Sequence, residues 1–355
     1  MTAAGASRKR RAARGRAAVG WTALTFVGLQ LALSLGVERW RPEVRDPEYG
    51  IKLAVLRRRL AERPGAPLVL ALGSSRTLKG LRPELLDGAG GAVVFNFGLT
   101  RCGPVQELID YRRLRAAGAR PAAVLIEVTP ALLRQTDVWA TADQDKRMSW
   151  ADLAVLGRYR PRPAEMYWNW AQARTLPWFA YRFSLLAQYL PAGLPPECCQ
   201  GFNWKDVDGA GWLAVRDEGE VPAAEYRRRL AAVRDAFAPL VEDWRAAPEA
   251  DRALRELLGE CRRDGVPAVL YLMAEGPQFR SWYAPAAQAR LGDYLGALAR
   301  ECAVPVIDGR DWVPEEGFED GHHLRPAGAR AFTRRFEREV VGPFLHRRVA
   351  SAWAH

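Results

Sequence analysis

Two short stretches hold the side chains with the most chemistry to offer. The first is Leu72-Gly73-Ser74-Ser75-Arg76-Thr77, which directly follows an apolar run at 67–73. Small residues and then a serine at the carboxyl end of a strand can expose a hydroxyl. The next helical turn can offer backbone amides to a developing oxyanion. Such a serine can equally be a plain helix N-cap. The second stretch is Asp320-Gly321-His322-His323-Leu324, just before Arg325-Pro326-Ala327-Gly328-Ala329 opens the last helix. An aspartate and a histidine three apart in a tight loop can hydrogen-bond. The carboxylate then fixes the imidazole tautomer and stabilises its cation while it takes a serine proton. The chain has four histidines, and the other two, His346 and His355, fall in the C-terminal tail. His322 is expected to point away from the pair.

Residues so far apart need a scaffold that brings them together. Five short, nearly continuous apolar runs, 67–73, 92–98, 122–128, 267–273 and 304–308, read as strands buried on both faces. Helical stretches at 104–117, 248–264, 285–302 and 326–341 alternate with them, each opened by a proline where no amide is lost. The alternation predicts an α/β fold: a three-layer, doubly wound (flavodoxin-like) five-stranded parallel sheet. Loops at the carboxyl ends of such strands converge on one crevice, so Ser75 after strand one can meet His323 after strand five. Residues 131–222 break the rhythm with a long insertion that includes Trp139, Trp150, Trp168, Trp170, Trp178 and Trp212. Its aromatics either pack a small core of their own or form a lid or a platform for sugars.

The order Gly73-Ser74-Ser75 after strand one, Asn96-Phe97-Gly98 after strand two, and D-x-x-H-L-x-x-x-G from Asp320 to Gly328 resembles the SGNH/GDSL hydrolase superfamily. Within it, the chain is similar to the membrane-anchored branch of DltD-like proteins and alginate-type O-acetylation factors. The resemblance covers about 67–130 and 248–345 and leaves the insertion unmatched. It implies Ser75 as nucleophile, His323 as general base and Asp320 as its orienter, with Ser74 where many members have Asp. The oxyanion glycine of the family falls at or near Arg101, with Gly98 and Asn96 as further candidates, Asn96 more in keeping with a structural role. After strand three the family's G-x-N-D is replaced by Glu127-Val128-Thr129-Pro130. Losing one oxyanion donor typically costs about 10²–10³ in rate.

Of the formal net charge of +11, six positive charges (Arg8, Lys9, Arg10, Arg11, Arg14, Arg16) sit in the first sixteen residues. Residues 17–37 then carry no formal charge, and a helix of that length, at about 1.5 Å per residue, spans a hydrocarbon core of roughly 30 Å. Basic flanks stay inside. The expected organisation is a basic cytoplasmic leader (1–16), a transmembrane helix (17–37), a linker (38–66), an extracytoplasmic α/β domain (67–345) and a tail (346–355). A cleaved signal peptide competes with this through Ala32-Leu33-Ser34, although its apolar stretch is usually only about 7–15 residues. Elsewhere Arg is scattered among Glu and Asp, and no nucleic-acid-binding motif accompanies it, so no nucleic-acid partner is expected. Five cysteines without zinc spacing imply neither metal nor cofactor. Cys261 and Cys302, at helix ends before neighbouring strands, could approach disulfide distance.

The function this predicts is a membrane-anchored extracytoplasmic serine esterase or O-acyltransferase, acting through an acyl-serine on an acylated envelope glycan or polymer. A membrane O-acyltransferase is a candidate partner. The alternatives are a non-catalytic SGNH-like assembly or binding factor for such a system, and a lipase or thioesterase.

Overall fold

A computed structural model describes residues 3–86, 91–134, 142–194, 203–213 and 221–344. Trp139, Cys198, Cys199, His346 and His355 lie outside the described residues. In chain order, α1 (Ala3–Arg39), α2 (Pro42–Arg45) and α3 (Pro47–Glu62) precede β1 (Leu68–Gly73) and the short α4 (Ser75–Gly80). Next come β2 (Val93–Gly98), α5 (Pro104–Ala116), β3 (Pro121–Glu127) and α6 (Pro130–Arg134). Among the described residues, the insertion then contributes the α-helices α7 (Ala142–Arg147), α8 (Trp150–Leu156), α9 (Pro163–Thr175) and α10 (Pro177–Tyr189). Then follow α11 (Ala223–Val241), α12 (Pro248–Arg263), β4 (Ala268–Leu272), α13 (Pro277–Arg280) and α14 (Pro285–Cys302). The series closes with β5 (Val306–Asp308) and α15 (Pro326–Phe336).

The chain divides into two compact units. One comprises Met1–Gly50, Thr141–Leu153 and Arg162–Gly201; the other comprises Ile51–Ala140, Ala154–Pro161 and Phe202–His355. The insertion at 131–222 contributes to both units, and the linker at 38–66 contains α3, over the stretch 51–61 whose apolar spacing is helical.

The larger unit is built on five parallel strands in the order β2-β1-β3-β4-β5. Every residue of β1 and β2 is buried, which is why these runs are apolar at successive positions and do not alternate. Four strands begin a residue or two later than their apolar runs, and β3 begins one residue earlier, at Pro121. Pro67 and Pro267 have no N–H for a ladder, and instead their carbonyls accept from Val93 and Val124 at 2.8 and 2.9 Å. Phe332 and Phe336 of α15 carry the same core over Tyr271 and Val269. The last helix is expected to run to 341, but the α-helix stops at Phe336 and continues as a π-helical turn, Glu337–Val341.

No bond joins Cys261 to Cys302; both are free thiols, as is Cys102. Cys261 turns toward Tyr111 of α5, and burial pushes its thiol up to about 12, which makes it inert as a nucleophile. In the smaller unit, residues Ala13–Arg39 of α1 are long and apolar enough to cross a membrane.

Candidate active site

At the end of β1 the chain enters α4 through Gly73 and Ser74. No Cβ fits at Gly73, because Thr77 Oγ1 and Glu127 Oε2 fill the space it would occupy. Ser74 is the N-cap: its backbone is extended and its Oγ accepts from Arg76 N at 3.1 Å. Capping therefore falls to Ser74 and leaves the hydroxyl of Ser75, the first helical residue, available. Ser75 Oγ lies 2.9 Å from His323 Nε2, and His323 Nδ1 lies 2.7 Å from Asp320 Oδ2. The three residues singled out in the sequence thus form one hydrogen-bonded line.

Asp320 holds its own loop in shape. Its Oδ1 accepts the backbone N–H groups of His322 (3.1 Å) and His323 (2.8 Å) while Oδ2 faces the His323 ring. The turn needs Gly321, whose φ of +87° is left-handed and whose absent Cβ would strike Leu230. Burial acts to raise the Asp320 carboxyl, but the electrostatic pull of His323 and then His322 outweighs it and holds the group well below the usual carboxylate range. An ionised aspartate behind a histidine is what orients and stabilises an imidazolium.

His322 does not point away. Its ring lies tilted, 3.9 Å (centroid to centroid) from that of His323 and 4.8 Å from Phe237, and it lines the pocket beside Ser75. The apolar cage of Phe237 and Phe279 receives it, and α11, which brings Phe237, carries no sequence signal of that role. Nδ1 sits 3.2 Å from Asp320 Oδ1 but without the alignment of a hydrogen bond. Burial, and then the charge of His323, push His322 down from 6.5 to about 3, so it is a neutral wall.

This histidine makes an acid-stability prediction. Between 6.5 and about 3 it takes up a proton only on unfolding, so stability falls as the pH drops through that window. The loss reaches about 3 kcal/mol at pH 4. Asp320 adds to it only lower down, because a depressed carboxylate stabilises above its ordinary 3.8 and loses that contribution as the pH falls below it. Denaturant midpoints at pH 7 and 4.5 should therefore diverge more in the wild type than in His322→Leu. Equal pH slopes in the two proteins would remove the basis for a buried neutral His322.

A pocket of about 270 Å³ opens at Ser75 and His323, walled by Arg76, Thr100, Arg101, Thr129, Leu132 and Phe237 among others. Its oxyanion donors are not those the motifs suggested first. Asn96 is fully buried, and its Nδ2 donates to Thr77 O and Leu81 O at 2.7 Å each. The Gly98 N–H donates to Asn96 Oδ1 at 2.9 Å. Both residues are committed to holding the turn, so neither offers a donor to substrate; the structural role fits Asn96. Arg101 has a φ of +60°, the left-handed conformation that glycine adopts readily, and it lines the pocket. The Ser75 N–H, at the start of α4, makes no hydrogen bond among the described residues. Thr129 occupies the wall where the asparagine was missed, but its Oγ1 donates to Glu127 Oε1 at 2.7 Å.

Sequence reasoning passed over two residues. Glu127, a carboxylate at the end of an otherwise apolar strand, accepts from Ser74 N (2.7 Å), Ser74 Oγ (3.0 Å), Thr77 Oγ1 (2.7 Å) and Thr129 Oγ1. A charge in so buried a run was the available signal. Arg76 follows Ser75 directly. Its Nη1 donates to Glu275 Oε1 at 2.9 Å, its guanidinium lies over Phe279, and its Nη2 is buried without a partner among the described residues. That fixes a cation on the pocket wall.

Asp320, His322 and His323 also present metal-type ligand atoms within 4.8 Å of one another. Both His323 nitrogens are engaged by Ser75 and Asp320, so their contacts support a proton relay in preference to a metal centre. No protein-family model matches this chain, and no curated protein matches it in sequence.

Proposed function

We propose that this chain is an SGNH-type serine esterase or O-acyltransferase, anchored in a membrane by α1 and acting outside the cytoplasm on an acylated envelope glycan or polymer. The observation that carries this is the Ser75–His323–Asp320 line, with its 2.9 and 2.7 Å links. His323 Nε2 takes the Ser75 proton as Oγ attacks the acyl carbonyl. The tetrahedral intermediate collapses when His323 returns that proton to the departing alkoxide, leaving an acyl-serine. Water or an acceptor hydroxyl then attacks, its proton passing through His323 back to Ser75 Oγ, and an acid or a new ester leaves. The Ser75 N–H and the Arg101 turn are the oxyanion donors in this scheme, and the Arg76 cation lowers the energy of negative charge nearby.

In this reading the sheet is doubly wound and flavodoxin-like, an architecture with which the parallel order β2-β1-β3-β4-β5 agrees. The basic leader stays in the cytoplasm, following the positive-inside rule, and a membrane O-acyltransferase would supply or receive the acyl group. The committed Thr129 hydroxyl favours a second reading, a non-catalytic SGNH-like assembly or binding factor with a weakened oxyanion site.

A membrane-impermeant activated fluorophosphonate, applied outside cells making the full chain, separates these. The proposal expects labelling of the wild type without permeabilisation and none of Ser75→Ala. Labelling only after permeabilisation overturns the orientation, and none in either state favours the binding factor. Acetylated sugars set against long-chain acyl esters then distinguish the glycan enzyme from a lipase or thioesterase.

A further inference from the structure

We infer that the α9–α10 hairpin is a second membrane contact, its tip seated in the outer leaflet beside α1, so that the occupant of its exposed aromatic face is lipid. The inference rests on α1 spanning the membrane with its C-terminal end outside.

The hairpin belongs to the same compact unit as α1 and packs on the last part of that helix. Val37 of α1 meets Ala173, Tyr181 and Val44, with Leu33, Ala180 and Leu185 alongside. Arg174 pairs with Glu38 at 2.9 Å. Nearer the tip, the Trp178 N–H donates to Gln30 Oε1 at 3.3 Å. Gln30 is the only amide side chain in the uncharged 17–37 run. It lies 14 residues beyond Arg16, the last charge of the leader. That is about 21 Å of helix, so Gln30 is still roughly 9 Å inside a 30 Å hydrocarbon core measured from Arg16. A hairpin that reaches Gln30 has passed the headgroups.

What it carries there suits that depth. The turn Thr175-Leu176-Pro177-Trp178-Phe179 has no charge. Leu176, Trp178, Phe179 and Phe183 are 45, 49, 66 and 41 % exposed, an apolar face that water would oppose and acyl chains would accept. Polar groups of the turn are used internally, as a lipid-facing segment requires: Thr175 Oγ1 donates to carbonyls of its own helix, Leu176 N donates to Gln172 O, and Pro177 has no N–H. Arg182 lays its guanidinium 4.3 and 4.4 Å from the ring centroids of Phe179 and Phe183, the posture of a cation snorkelling past an apolar surface. Further exposed tryptophans in the unit, Trp40, Trp150 and Trp168, are of the type that settles at headgroup level.

Photolabelling the full chain in phosphatidylcholine vesicles doped with a diazirine-acyl phosphatidylcholine tests this directly. Trypsin releases the tip as residues 175–182 and the core of α1 as 17–39, with 291–300 from α14 as a water-side reference. The inference expects 175–182 to be labelled on a par with 17–39 and at least about tenfold above 291–300, since interfacial segments sit 5–10 Å deep. Label in 17–39 without label in 175–182 overturns the hairpin while leaving α1 in the membrane. A face covered by a second copy or by another protein would give that result too. Label in neither peptide removes the membrane-spanning reading of α1, and the hairpin inference with it.

Discussion

Ser75→Ala and His323→Ala should each abolish acyl transfer, lowering kcat by about 10⁴ or more to what the pocket and its donors alone support. A serine hydroxyl is a poor nucleophile until a positioned base accepts its proton, and the 2.9 Å contact is that base in place. Because the pair acts as a unit, the double variant should be no slower than either single one. Asp320→Asn should leave a remainder, about 10³–10⁴ below wild type, since an amide can present N–H to His323 Nδ1 and favour the tautomer whose proton faces Ser75. Ser74→Ala keeps the nucleophile and should be far milder in rate. It does remove the cap of α4 and a hydrogen bond to Glu127, for a stability loss of about 1–2 kcal/mol. Steady-state kinetics on an activated acyl ester, with unfolding curves for each variant, decide the matter. If Ser75→Ala keeps more than about a tenth of the activity while folded, the nucleophile is misassigned.

The residues of that line were legible because their types and their places at element ends are both recorded in the chain. Ser75 follows a continuous apolar run, and Asp320 and His323 stand three apart before a proline-opened helix. The strands were legible for the same reason, as burial on both faces leaves no room for alternation. What surrounds the line was not, because each piece depends on a contact without a local signature. Arg76 finds Glu275 199 residues away, and Phe237 arrives on a helix with no mark of its partner His322. Gly98 stood as a candidate donor to substrate, and its hydrogen bond to Asn96, which itself holds the turn after Ser75 as expected of a structural residue, could not be read from the chain. The insertion left two readings open, a small core or an exposed platform: Tyr181 and Trp212 are buried, whereas Trp150, Trp168, Trp178 and Phe179 are about half to two-thirds exposed. Composition reports that such rings want an apolar medium and cannot say whether protein or lipid provides it.

Glu127→Gln should lower the unfolding free energy by about 3 kcal/mol and acyl transfer by at least tenfold, although residue 127 never touches substrate in the proposed mechanism. The wild-type carboxylate is buried and has only acceptor sites, which Ser74 N, Ser74 Oγ, Thr77 Oγ1 and Thr129 Oγ1 fill. Glutamine has the same shape but turns one oxygen into a donor, so an N–H₂ must face groups that are themselves donating. At least two of them lose their acceptor in a buried site, at about 1–3 kcal/mol each. The turn that then relaxes is the one that sets Ser75, and a displacement of about 1 Å in a nucleophile can cost 10²-fold. Glu127→Asp separates charge from reach: it keeps the acceptors but withdraws them by one methylene, and should fall between wild type and Glu127→Gln in both measurements. Urea unfolding at pH 7 and the acyl-ester assay on the same samples give the two numbers. A Glu127→Gln protein within about 0.5 kcal/mol of wild type and fully active would mean that the turn holds Ser75 without it. The positioning would then have to come from Asn96 and its bonds to Thr77 and Leu81 alone.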